Sequence, residues 1–253
     1  NTLMGLSWID LSTGQFEVED VVPERLFDEF ARLNPSEVLL PEETVRNNTS
    51  FMEKIRAECK AMITSRPDWE FSVDTAYQTL TDHFGTASLE GFGCETVKPA
   101  LGAAGAVIHY LKETQKTSLR HIIKMQHHQI SNRVLMDKAT QQSLELTQTI
   151  RNGDREGSLL GVLDQTRTPM GGRLLRDWVI SPLRVSADIK YRQLGVRELY
   201  ENAALRREIR DMLGNIYDIE RISTKISCGR ATARDLVSLK QSLSKLPALK
   251  EKL

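Results

Sequence analysis

The amino-acid sequence predicts two domains of different class: an α/β domain with a mostly parallel sheet carrying one hairpin, then an all-α domain. Three observations predict this. Residues 1–116 alternate short apolar runs with amphipathic stretches, in the order strand, helix, strand, helix, strand. Residues 136–253 show only the 3.6-residue period of helices. The charge balance also reverses between the two regions, although the whole chain is formally neutral. Residues 1–115 hold 9 Lys+Arg and 19 Asp+Glu, and residues 116–253 hold 25 and 15.

In the first domain, a strand over Met4–Leu11 turns at Ser12-Thr13-Gly14 into Gln15–Glu19, which alternates polar and apolar residues as a half-buried strand does. Its glutamates are expected to face outward. Pro23 opens a helix with Leu26, Phe27, Phe30 and Leu33 in one stripe, and Asn34-Pro35 ends it. Val38-Leu-Leu40, stopped by Pro41, reads as a buried parallel strand. A helix over Phe51–Cys59 leads to a strand over Ala61–Thr64. A longer helix, Val97–Lys116, buries Leu101, Ala104, Ile108 and Leu111, and its Gly102 and Gly105 admit a close neighbour. Periodicity then fades, so residues 117–135 read as an extended linker between the domains.

The second domain contains the chain's most complete local signals, within Ser158–Leu183. Thr168 is placed to cap a helix whose first position is Pro169. Leu174, Leu175 and Trp178 follow at helical spacing, and Ser181, preceding Pro182, ends the helix. Gly171 and Gly172 weaken its first turn, which predicts close approach of another backbone. Ser186 is expected to cap the next helix, with Ile189, Val196, Leu199 and Tyr200 inward. Leu205, Ile209, Met212, Leu213 and Ile216 form a stripe that continues through Ile219, Ile222 and Ile226. Beyond Gly229, Thr232 and Asp235 have the spacing of a capping box. Leu236, Leu239, Leu243 and Leu246 then step as in a coiled coil, but two heptads are too few, so a core-packing helix is expected.

Composition narrows the function. Hydrophobic residues at 40% and charged ones at 27% suit a globular protein with a real core. Three dispersed cysteines, Cys59, Cys94 and Cys228, argue for a reducing compartment and for burial rather than disulfides. No apolar run is long enough to span a membrane. No Gly is followed by Lys, so a phosphate-cradling P-loop is excluded. His121, His127 and His128 lack a zinc spacing and read as linker surface. The few aromatics do not interleave with basic residues, which argues against a single-strand stacking platform. Asp10, ending a strand before a hairpin turn, could hold Mg²⁺ as the carboxylate of a nuclease or phosphotransferase. That chemistry needs a second carboxylate, for which Asp74 and Glu70 are the candidates; the simpler reading is a turn residue.

The words Leu-Leu-x-x-Leu-Asp-x-Thr-x-Thr-Pro-Met-Gly-x-Arg-Leu-Leu-x-x-Trp, followed by Pro-Leu, resemble the start of the core domain in the MutS DNA mismatch-repair family. The N-terminal part, from Gly5 to Phe16 and through Asn34-Pro-Ser-Glu-Val-Leu-Leu40, resembles that family's connector domain, as do Phe84-Gly-Thr, Gly91-Phe-Gly93 and Tyr110–Gln115. The resemblance covers nearly the whole chain, and is closest to bacterial members. It implies an RNase H-like connector over 1–116 and a helical core and lever domain over 136–253, both cut from a longer protein. It also implies an indirect role, relaying conformational change between mismatch-binding, clamp and ATPase domains, with no catalytic, cofactor or metal site in this segment. ATP and Mg²⁺ would belong to the ATPase domain; mismatched duplex DNA, MutL and a second copy would be the full-length partners, in the cytoplasm. Family members sense mispairs with a Phe-x-Glu wedge. Phe27-Asp-Glu29 and Phe51-Met-Glu53 match it in letters, but both Phe residues sit on inward stripes, so the wedge is expected upstream of Asn1.

Overall fold

The computed structural model describes residues 3–59, 61–94, 96–115, 119–128 and 132–253. The chain divides into two compact units, Asn1–Gln129 with Ser227–Gly229 and Ile130–Ile226 with Arg230–Leu253. Lys116, the expected end of the long helix, and residues 117, 118 and 129–131 of the expected linker lie outside the described residues.

The first unit opens with β1 (Met4–Asp10) and β2 (Gln15–Val21), paired antiparallel with Met4 opposite Val21 and Asp10 opposite Gln15. A 3₁₀ turn at Pro23–Arg25 precedes α1 (Leu26–Leu33), which ends on Asn34 in the left-handed conformation (φ 48°). β3 (Glu37–Pro41) runs parallel to β4 (Met62–Arg66). Between them come α2 (Glu42–Asn47) and α3 (Thr49–Glu58), where the Asn48 side chain accepts the Phe51 N–H. A 3₁₀ turn at Asp68–Phe71 leads to α4 (Val73–Phe84), and α5 (Lys98–Thr114) follows. β5 (Gln126–His127), inside the stretch read as linker, adds to β2 in parallel.

The strands pair as two sheets, β1-β2-β5 and β3-β4, where one was expected. Apolar alternation identifies strands but carries no signal for which edges meet. One face of the hairpin, with Phe16 and Val18, packs on Leu80 of α4 and on Leu101, Ala104 and Ile108 of α5. The other face, with Leu6 and Val21, packs on Leu26 and Phe30 of α1, Val38 of β3, and Met52 and Ile55 of α3. The hairpin is therefore covered on both sides. Glu17 and Glu19, expected outward, are only 9% and 4% exposed. The expected close neighbours of α5 are present: a Cβ on Gly102 would overlap the Phe71 carbonyl, and one on Gly105 would overlap Ala76.

The second unit is helical. It comprises α6 (Lys138–Ser143), α7 (Leu159–Leu163), α8 (Pro169–Ile180), α9 (Ser186–Glu201), α10 (Ala203–Leu213), α11 (Ile219–Ser227) and α12 (Ala233–Lys252). Its extended pairing, among the described residues, is a single bridge between Arg133 and Leu183. Ile180, Ile209, Ile216 and Ile222 are buried, as is Ser242, whose hydroxyl accepts the Tyr217 N–H at 2.9 Å. Two expectations fail. Ser186 lies inside α9 and Val185 precedes it without any side-chain cap. Val196 and Tyr200 of α9 are 62% and 79% exposed, and Leu236, Leu243 and Leu246 of α12 are exposed as well. Helical spacing marks a face suited to burial, but whether a neighbour covers it depends on the fold. Among the described residues no helix is long and apolar enough to cross a membrane.

Candidate functional site

The segment richest in sequence signals forms a loop and helix stitched together locally. Thr168 accepts the Gly171 N–H at 3.0 Å, Pro169 opens α8, and the helix stops at Ser181, as expected. Upstream, Ser158 caps α7 by accepting the Gly161 N–H at 3.1 Å. Asp164 accepts the Thr166 hydroxyl at 2.6 Å and its N–H at 3.1 Å, and Arg155 pairs with the same carboxylate. The Thr166 bonds, with Arg155 adding to them, hold the Asp164 carboxyl below its ordinary range.

The space at Gly171 and Gly172 is filled by side chains of this loop, not by another backbone as expected. A Cβ on Gly171 would meet Thr168 Oγ1 at 3.0 Å, and one on Gly172 would meet Thr166 Oγ1 at 3.4 Å. Thr168 satisfies the Gly171 N–H in the first turn of the helix, and Asp164 holds Thr166 beside it.

Two arginines tie this segment to the helices that follow. Arg173 of α8 donates to both carboxylate oxygens of Asp218 at 2.8 Å each, and to Glu220 at 2.5 Å. Asp218 also accepts the Arg221 N–H at 3.3 Å. The Arg173 bonds outweigh burial and hold the Asp218 carboxyl below its usual value. Arg210 of α10 donates to the Gln165 carbonyl at 2.9 Å. Sequence reasoning missed both ties. A pair 45 positions apart leaves no periodic trace, and Arg173 reads as one polar letter on an amphipathic helix.

In the first unit, the missed features are buried charges. Glu17 accepts from His128 Nδ1 at 2.7 Å, and the ring of Trp8 stands edge-on to His128, 5.1 Å between centroids. His128 is thus part of the α/β unit and not the surface linker residue expected. Burial pushes the Glu17 carboxyl up, but its bonds to His128 and Gln15 outweigh that and leave it lowered. Burial, reinforced by Glu29, pushes Glu19 up to about 8. On the other side, Arg66 forks onto the buried Glu70 at 2.9 and 2.7 Å and reaches Glu113 at 2.6 Å.

Asp10 behaves as a turn residue. Its Oδ1 accepts the Ser12 N–H at 2.8 Å and the Ser12 hydroxyl at 2.7 Å. Its candidate co-ligands are otherwise placed: Glu70 is held by Arg66, and Asp74 lies in the first turn of α4. Two groups of three potential metal ligands occur among the described residues, Glu19–Glu29–His128 and Glu70–His109–Glu113, and neither includes Asp10. Both Phe-x-Glu matches are structural, since Phe27 packs edge-on against Phe30 and Phe51, and Glu29 pairs with Arg32 at 2.7 Å. Cys59 and Cys94 are buried, as expected, and Cys228 is half-buried.

The structure thus holds an α/β unit and a helical unit, and the helical unit carries a loop-and-helix segment braced by ion pairs. MutS domain II matches residues 1–123, and MutS domain III matches residues 139–253. The DNA mismatch repair protein MutS of Halothermothrix orenii is 42% identical over 253 residues, covering 99% of this chain and 28% of that relative. The proteins of the same name from Alkaliphilus metalliredigens and Salinibacter ruber are 40% and 38% identical, covering 98% and 96% of this chain and 29% and 26% of themselves. The chain belongs to the MutS family and carries its domains II and III. It spans under a third of the length of these relatives.

Proposed function

We propose that this segment is a mechanical relay in a DNA mismatch-repair protein, linking a mismatch-reading end to an ATPase end without catalysing a reaction itself. The observation that carries the reading is the bracing of α8 by Arg173 onto Asp218 and Glu220. A relay needs packed elements that move as a body, and a bidentate ion pair of low exposure fixes direction as well as distance. The names of the relatives support the mismatch-repair setting. In the longer protein the ligand would be mismatched duplex DNA, the partners MutL and a second copy, the cofactors ATP and Mg²⁺ in the ATPase domain, and the compartment the cytoplasm. The excess of basic residues over 116–253 would add salt-sensitive attraction to DNA.

The nuclease alternative is not favoured, because the Asp10 carboxylate is already engaged by Ser12. The test is to incubate the chain with ATP, and separately with duplex DNA and Mg²⁺. The relay reading expects neither hydrolysis nor cleavage. Cleavage that disappears in Asp10→Asn would overturn it.

A further inference from the structure

We infer that the buried nest between β2, α1 and the end of β5 is a binding site for one divalent transition ion of the zinc type, with Glu19, Glu29 and His128 as its ligands. One ligand atom from each of these side chains lies within 4.8 Å of the others. Glu19 is 4% exposed, and its Oε2 is buried with no hydrogen-bond partner. An orphaned carboxylate oxygen inside a folded unit is costly, and that cost calls for a ligand.

The surroundings aim the other two ligands. Glu17 Oε2 holds His128 through Nδ1 at 2.7 Å, and Nε2 is the ring nitrogen that an ion would take. This is the arrangement in which a carboxylate fixes the tautomer of a metal-binding histidine. Arg32 holds Glu29 through Oε2 at 2.7 Å, while Arg25 stays 3.9 Å from Oε1, beyond hydrogen-bond reach. Glu29 is thus held firmly at Oε2 and only loosely paired at Oε1. One imidazole with two carboxylates suits a zinc-class ion; Mg²⁺ prefers all-oxygen shells that retain several waters. A ligated ion would also fasten His128, and with it β5, to β2 and α1.

The test is calorimetric titration of the chain with Zn²⁺ and, in parallel, with Mg²⁺. We expect one saturable Zn²⁺ site and no Mg²⁺ binding of comparable strength. Glu19→Gln and His128→Gln should each weaken Zn²⁺ binding at least ~10-fold, and Glu17→Gln should weaken it by a similar factor through loss of ring orientation. His109→Gln, which dismantles the other ligand group, should leave it unchanged. Circular dichroism checks that each variant is folded; should Glu19→Gln not fold, His128→Gln and Glu17→Gln decide. Absence of saturable Zn²⁺ binding overturns the inference, as does binding that survives His128→Gln or disappears only in His109→Gln.

Discussion

Arg173 on α8 and Asp218, at the start of α11, meet through two parallel hydrogen bonds of 2.8 Å, and side-chain exposures of 28% and 14% keep most water away from the pair. The helix with the family's signature thus has a fixed partner well downstream. Lysine at 173 keeps the charge but not the planar fork, so Arg173→Lys should lower unfolding free energy by about 1 kcal/mol. Arg173→Met, which strands the Asp218 charge, should lower it by about 2–3 kcal/mol. Urea denaturation measures both. No loss from Arg173→Lys would mean that the fork geometry is irrelevant.

The same pair imposes a pH dependence. Asp218 is held below its ordinary value of 3.8, so the folded state binds its proton less readily than the unfolded state. The stabilisation is present above that value and is lost as pH falls through the lower folded one. Denaturation midpoints between pH 6 and pH 2 should show an acid limb that is shallower in Asp218→Asn. An unchanged limb would assign acid sensitivity to other carboxylates.

Gly105 and Gly172 separate two roles of helical glycine. A side chain on Gly105 must displace Ala76 of α4, so Gly105→Val should cost about 1–3 kcal/mol. Gly172 has only Thr166 Oγ1 at 3.4 Å and Asp164 Oδ2 at 3.7 Å before it. Gly172→Ala should therefore be neutral, or stabilising by up to ~1 kcal/mol through helix propensity. Thermal unfolding of the two variants tests the contrast, and a large loss from Gly172→Ala would refute the described packing.

Thr168 and Thr232 should each cost about 1 kcal/mol on replacement by alanine, since each accepts an otherwise unpaired N–H at its helix start. Serine should restore most of the loss, and urea titration of both pairs of variants would show it. Failure of serine to rescue Thr168 would shift the weight from the hydroxyl to the methyl group.

These two caps illustrate what was legible from sequence. Thr168-Pro169 and the Thr232–Asp235 box act within four residues, so the letters determine the geometry. The apolar faces of β2 and α5 were legible for the same reason, through Phe16, Val18, Leu101 and Ile108. What escaped was set by distant partners. Glu17 and Glu19 look like the wet side of a strand until Arg32 and His128 cover them. Tyr200 and Leu243 have helical spacing, yet nothing among the described residues buries them. Asp10 was read both ways, and only the Ser12 bonds separated the turn from the metal ligand.

The relay itself is tested most directly in the full-length protein, by measuring ATP hydrolysis with matched and with mismatched duplex DNA for wild type and Arg173→Lys. The account predicts that the variant keeps its mismatch affinity and its basal hydrolysis within about two-fold while losing the mismatch-dependent change in rate. A folded variant whose response to a mismatch equals that of the wild type would contradict it.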